Sequence, residues 1–166
     1  MSMILTLRRA DPVTLAKLRA NPELVWDFMN PEEQDYEPED MIDFDKAWNA
    51  LHFILARTDW GGDSPLAMLL NDHEHLGEGH GYGPAWIVTP DRVKRFDDAF
   101  QPLSDEALAA RFDPADFVGS DMYSADIFAE EDRDEILEYL LQGVPALRRL
   151  TAKCVSTDSA LIGLIG

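Results

Sequence analysis

Apolar positions along this chain recur with two periods, and the switches between them mark out the elements. "MILTLRR" (residues 3–9) alternates, placing Met3, Leu5 and Leu7 on one face of a predicted strand. "DPVTLAKLRANP" then predicts a helix, with Asp11 as N-cap and Pro12 at the first helical position, and "NPELVWDFM" repeats the signature with Asn21 and Pro22. "DFDKAWNALHFILA" carries the clearest helical stripe: Phe44, Ala47, Trp48, Leu51, Ile54 and Leu55 recur three and four apart. A shorter helix is expected to start at Ser64-Pro65 in "SPLAMLL", and "PAWIVT" has the unbroken apolar run of a buried strand.

Thr89 and Pro90 open a further helix that buries Val93, Phe96 and Phe100, and Ser104 caps a short one in "SDEALAARF". "EEDRDEILEYLLQGVPALRRLTAKC" predicts a long helix with Ile136, Leu137, Leu140, Leu141, Val144, Leu147 and Leu150 inward. Gly143 and Pro145 should kink or break it, because proline removes an internal hydrogen bond. "SALIGLIG" closes the sequence as a strand, expected to pair with the first. The pattern predicts a single α+β domain over residues 1–166, with a small sheet that includes both terminal strands packed against several helices.

Charge adds a second constraint. The 166 residues carry 32 Asp and Glu against 14 Lys and Arg, a formal charge of −18. Such a balance repels nucleic-acid phosphates and anionic membranes, so neither is an expected partner. It keeps the chain soluble, and it can also steer a basic protein partner. Cys154 is the only cysteine, which excludes an internal disulfide and a multi-cysteine zinc site. The opening residues do not read as a signal peptide, and no stretch approaches the ~18 apolar residues that span a bilayer. A cytoplasmic setting is the expectation.

The carboxylates gather in two places. Between Glu32 and Asp45 there are eight acidic residues and no basic one, a segment read as a mobile acidic loop; residues 121–138 hold eight more, with Arg133 alone opposing them. Apolar residues intersperse both. Tyr36, Glu37, Glu39, Asp40 and Met41, together with Glu130, Glu131 and Asp134, therefore form the candidate partner surface, because aromatic anchors supply binding energy and charge supplies steering. The plainer account of these carboxylates is a solvated face with favourable charge at a helix N-terminus.

"NDHEHLGEGHGYGP" (residues 71–84) holds three of the four histidines. His73 and His75 would share a face on an extended segment, and His80 would complete a metal cluster with Asp72 or Glu78. Its glycines supply flexibility rather than the rigid elements metal ligands need, so a polar turn into "PAWIVT" is the leading reading. The glycines precede a strand instead of opening a helix, which is the wrong context for a nucleotide cradle. No cofactor is expected. His52, on the best helix beside its apolar stripe, is either a core-edge histidine or one wall of a pocket with Asp45, Trp48 and Tyr82. Cys154 has no local base and reads as a structural cysteine.

The segments "DKAW…LHF" (Asp45, Lys46, Ala47, Trp48, Leu51, His52, Phe53) and "YGPA…VTP" (Tyr82, Gly83, Pro84, Ala85, Val88, Thr89, Pro90) resemble signatures of the YfbM-like family of small bacterial proteins. The likeness runs over nearly the whole chain and is strongest from Asp43 to Asp116. It implies an α+β fold and a bacterial cytosolic setting, and it carries over no catalytic residue. Where relatives read "IYP…W", this chain has "MYSADIF" (Met122–Phe128), without the proline or the tryptophan. The function expected is a non-enzymatic, accessory or immunity-like protein-binding module with an acidic surface. The alternative is a small hydrolase, metal-assisted, with its pocket near His52 and the 72–82 loop.

Overall fold

In the computed structural model, which describes residues 2–79 and 81–166, the predicted alternation becomes one antiparallel sheet. In chain order come β1 (Leu5–Ala10), α1 (Pro12–Ala20), α2 (Val25–Met29), β2 (Met41–Asp43), α3 (Trp48–Ala56), β3 (Glu74–Leu76) and β4 (Ala85–Val88). They are followed by α4 (Pro90–Phe100), α5 (Asp105–Ala109), α6 (Ala125–Glu130), α7 (Arg133–Leu141), α8 (Val144–Ser156) and β5 (Ala160–Ile165). The strands lie in the order β2-β1-β5-β4-β3.

The terminal strands do pair: Leu5 lies opposite Ile165, Leu7 opposite Gly163 and Ala10 opposite Ala160. β5 is buried at every position because it occupies the centre and is covered on both faces. Leu161 and Ile165 join Leu5, Leu7, Trp86 and Val88 on the larger face, against α3, α4, α7 and α8. Ile162 and Leu164 join Ile87 and Leu76 on the other, against Leu15, Leu18, Val25 and Met29 of α1 and α2.

The local signals explain most of the elements. Asp11 accepts from the Thr14 amide and starts α1, and Ser104 accepts from the Ala107 amide and starts α5. Gly143 and Pro145 divide the predicted long helix into α7 and α8.

Two expectations are corrected. "SPLAMLL" makes turns rather than a helix, although Leu66 to Leu70 are all buried. The acidic segment is not a free loop: it forms short 3-10 turns at Glu33–Asp35 and Pro38–Asp40 and then the edge strand β2, which pairs with β1. Arg9 and Lys153 reach Asp40 at 2.8 and 2.7 Å, and Lys153 also reaches Glu39 at 3.1 Å. Burial alone would raise the Asp40 pKa, but these hydrogen bonds outweigh it and hold the carboxyl below its usual range. The segment is thus tied down by the very carboxylates that made it look mobile.

Candidate functional site

His73 and His75 do not converge. His73 precedes β3 and turns inward, only 7% exposed, whereas His75 lies on β3 and faces solvent. The shared face expected of them fails because the strand begins only at Glu74. A carbonyl oxygen can only accept, so His73 Nε2–H donates to Met68 O at 2.8 Å and leaves Nδ1 to accept from Arg92 at 3.3 Å. Among the described residues no group of three or more His, Cys, Asp and Glu is arranged to hold a metal ion; His80 lies outside them.

Asp45, Trp48, His52 and Tyr82 do not share one environment. His52 is completely buried; its Nε2–H donates to Gly61 O at 3.1 Å, and its Nδ1 accepts from the Leu70 amide at 3.3 Å. Burial pushes its imidazole down to about 4, so at neutral pH it is an uncharged bracket between two loop carbonyl and amide groups. Trp48 is also buried, stacked on Tyr123 at 5.2 Å and donating from Nε1 to Met3 O. Tyr82 is exposed. Cys154 is buried with its thiol pushed up to about 12 by desolvation, which suits packing and not nucleophilic chemistry.

Asp45 belongs instead to a different feature. Tyr139 O–H donates to its carboxylate at 2.8 Å while accepting from the Lys46 amide at 3.1 Å. Burial, with that carboxylate adding to it, pushes the Tyr139 phenol up to about 12, so it stays a donor. Tyr139 lies in the wall of a cleft of about 280 Å³ between α6 and α7, with Ile127, Phe128 and Ile136 beside it and Glu131 and Glu135 at its rim. Ile127 is 39% exposed, an uncovered aliphatic group in an otherwise charged surface.

Lys46 and Ser124 complete the lining. Ser124, in the lining, and Asp45, joined to it through Tyr139, both have positive φ (59° and 48°), a conformation that costs non-glycine residues energy and that collects at binding sites. Glu131 and Glu135 form no ion pair among the described residues, and neighbouring Asp126, Glu130 and Glu138 are exposed and equally unpaired. Asp134 lies 3.9 Å from Arg133.

The expected partner surface therefore divides. Glu130, Glu131 and Asp134 stand on or beside the cleft, whereas Asp40 and Glu39 are held by Arg9 and Lys153, and Tyr36 lies under the Arg8 guanidinium with its ring centroid 5.7 Å away. Glu37 is exposed and Met41 half-buried. Sequence reasoning missed Ile127, Phe128, Glu135 and Tyr139. The available signal was Glu135 and Tyr139 four apart on α7, which puts a charge and a ring on one face.

This arrangement defines a small α+β protein in which a five-stranded antiparallel sheet carries helices on both faces. The model of a family described as a domain of unknown function (DUF1877) matches residues 1–163, and the chain belongs to that family. It is also similar to the crystal structure of a protein of unknown function, YfbM from Escherichia coli, with a TM-score of 0.67, 16% identity, and 99% of this chain and 100% of that one covered. At that identity the likeness is one of fold, and it bears out the resemblance carried by "DKAW…LHF" and "YGPA…VTP". A comparison with curated proteins returned no match. Among the described residues no helix is long and apolar enough to cross a membrane.

Proposed function

We propose that this chain is a protein-binding module, in an accessory or immunity-like role, whose α6–α7 cleft receives a lysine or arginine side chain of a basic partner protein. The observation that carries the reading is the cleft's composition: apolar and aromatic walls beneath the unpaired carboxylates of Glu131 and Glu135. Lysine and arginine have the same division, an apolar stem and a charged head, so stem meets Ile127 and Ile136 while head meets carboxylate. The half-buried ring of Tyr139, backed by the buried Phe128 ring 6.3 Å away, supplies a face for the cation. Lys46 gives the cleft one positive end, which orients the incoming side chain toward the glutamates. The overall charge of −18 steers such a partner from a distance within the reach of screening.

The test uses synthetic amphipathic peptides with a single arginine or lysine flanked by leucines, titrated against isotope-labelled protein. Binding is expected to shift α6 and α7 resonances and to weaken roughly tenfold or more in Glu131→Gln/Glu135→Gln, since charge-assisted hydrogen bonds contribute about 1.5–3 kcal/mol each. Ile127→Ser should weaken it at low and high salt alike. Peptide affinity that ignores the double glutamine variant would sink the reading.

A further inference from the structure

A second cleft has the opposite chemistry. It measures about 250 Å³ and lies between α4 and the segment 62–71, with Gly62, Ser64, Met68, Asn71, Arg92 and Arg95 among its walls. Arg92 and Arg95 stand three apart on α4, so their guanidinium groups project to one side. In a chain with 32 acidic residues the cations have ample choice of partners, and Arg9, Arg19, Arg57 and Arg148 each reach a carboxylate. Arg95 makes no hydrogen bond or ion pair among the described residues. Among the described residues Arg92 meets no carboxylate; it donates to the neutral His73 ring, which turns the guanidinium without neutralising it. Two unneutralised guanidinium groups facing one cavity are mutually repulsive until an anion sits between them.

From this geometry we infer that the cleft binds a small phosphate-bearing ligand, held by Arg92, Arg95 and the Ser64 hydroxyl. Guanidinium groups present paired N–H donors that match phosphate oxygens, and two of them neutralise its double charge. Ser64 Oγ accepts from the Leu66 amide at 3.2 Å, which leaves its hydroxyl hydrogen directed elsewhere and free to donate. Asn71 braces the wall by donating to Gly62 O at 3.0 Å and Ala67 O at 2.7 Å. Asp63, also in the lining, is the one carboxylate there; it suits a hydroxyl on the organic part of the ligand and disfavours a second phosphate. The chain's net negative charge does not decide the matter, because screening limits distant carboxylates to about 8 Å at physiological salt, whereas the two arginines would touch the ligand directly.

His73 is thus a positioning residue: buried, hydrogen-bonded to Met68 O, it offers its only lone pair to Arg92. This gives "NDHEHLGEGHGYGP" a role in binding that is independent of the acidic α6–α7 cleft.

The experiment is a titration of isotope-labelled protein with inorganic phosphate and with glycerol 3-phosphate at constant ionic strength, read on arginine Nε–Hε and 62–71 backbone resonances. Saturable binding is expected, weakened about tenfold or more by Arg95→Gln and by Arg92→Gln, and unchanged by Arg149→Gln, an arginine outside this cleft. His73→Gln should weaken binding less than Arg92→Gln and broaden the Arg92 signal alone. No saturable shift with either phosphate, or an equal shift in Arg95→Gln, overturns the inference. Equal binding of acetate at the same concentration would also overturn it, since the site would then read charge and not phosphate.

Discussion

Gly163→Ala is expected to lower the stability of this protein by about 3 kcal/mol, and Gly163→Val to prevent folding altogether. Gly163 sits in the middle of β5, opposite Leu7 on one side and Trp86 on the other. A Cβ at this position would fall inside the Trp86 indole, against Cε2, Nε1 and Cζ2. Its backbone has no left-handed twist to blame, so the requirement is purely one of space: the ring lies over the strand, and only a hydrogen fits beneath it. Trp86 is 8% exposed and its Nε1–H, buried, has no hydrogen-bond partner among the described residues. Unmade hydrogen bonds of this kind cost about 1–3 kcal/mol, which indicates that packing and not polarity sets the ring's position.

Chemical denaturation of the alanine variant measures the effect, and a double-mutant cycle with Trp86→Leu assigns it. The smaller leucine should recover a good part of the loss if the clash is with the indole, because contacting residues are non-additive. A Gly163→Ala protein within about 0.5 kcal/mol of the parent, a value ordinary for surface changes, contradicts this account.

The unbroken apolar runs of β4 and β5 were legible because burial on both faces leaves no polar alternation to confuse them. β2 and β3 were not. Each has three residues with one buried apolar side chain, Ile42 or Leu76, and is held at the sheet's edge by backbone pairing that residue type does not record. "SPLAMLL" shows the opposite failure: Leu66 to Leu70 are apolar and buried, yet a run of that kind does not distinguish a helix from a packed turn. What holds it as a turn is distant in sequence, the His52 ring between Gly61 and Leu70.

The candidate site was legible only in part. Glu130, Glu131 and Asp134 could be picked from charge and interspersed apolar residues, but α6 has six residues, too few for its period to show. Arg92 and Arg95 stood unnoticed within a helix whose buried stripe was plain, because being unpaired is a property of three dimensions.

Lowering the pH from 6.5 to 4 is expected to remove about 3 kcal/mol of stability through His52 alone. In the folded protein burial pushes its pKa to about 4, against an ordinary value of 6.5 in the unfolded chain. Between these values the unfolded state holds the extra proton, so stability falls as pH falls; above 6.5 both states are neutral and the contribution is constant. The interval of about 2.5 units, at about 1.4 kcal/mol each, sets the size. A proton on Nδ1 would also face the Leu70 amide, donor against donor, and release the turn that Gly61 and Leu70 frame. His73, depressed in the same direction chiefly by burial, adds to the slope.

Other groups titrate in this range too, and relief of repulsion among 32 carboxylates opposes the trend. Comparison with His52→Gln isolates the histidine, since those groups are common to both proteins. The glutamine variant should be less stable at pH 7, having lost the bracket, yet its denaturation midpoint should vary less between pH 6.5 and 4. Parallel pH profiles for the two proteins would show that His52 takes up its proton in the folded state, and that the 61–70 turn does not depend on its neutral ring.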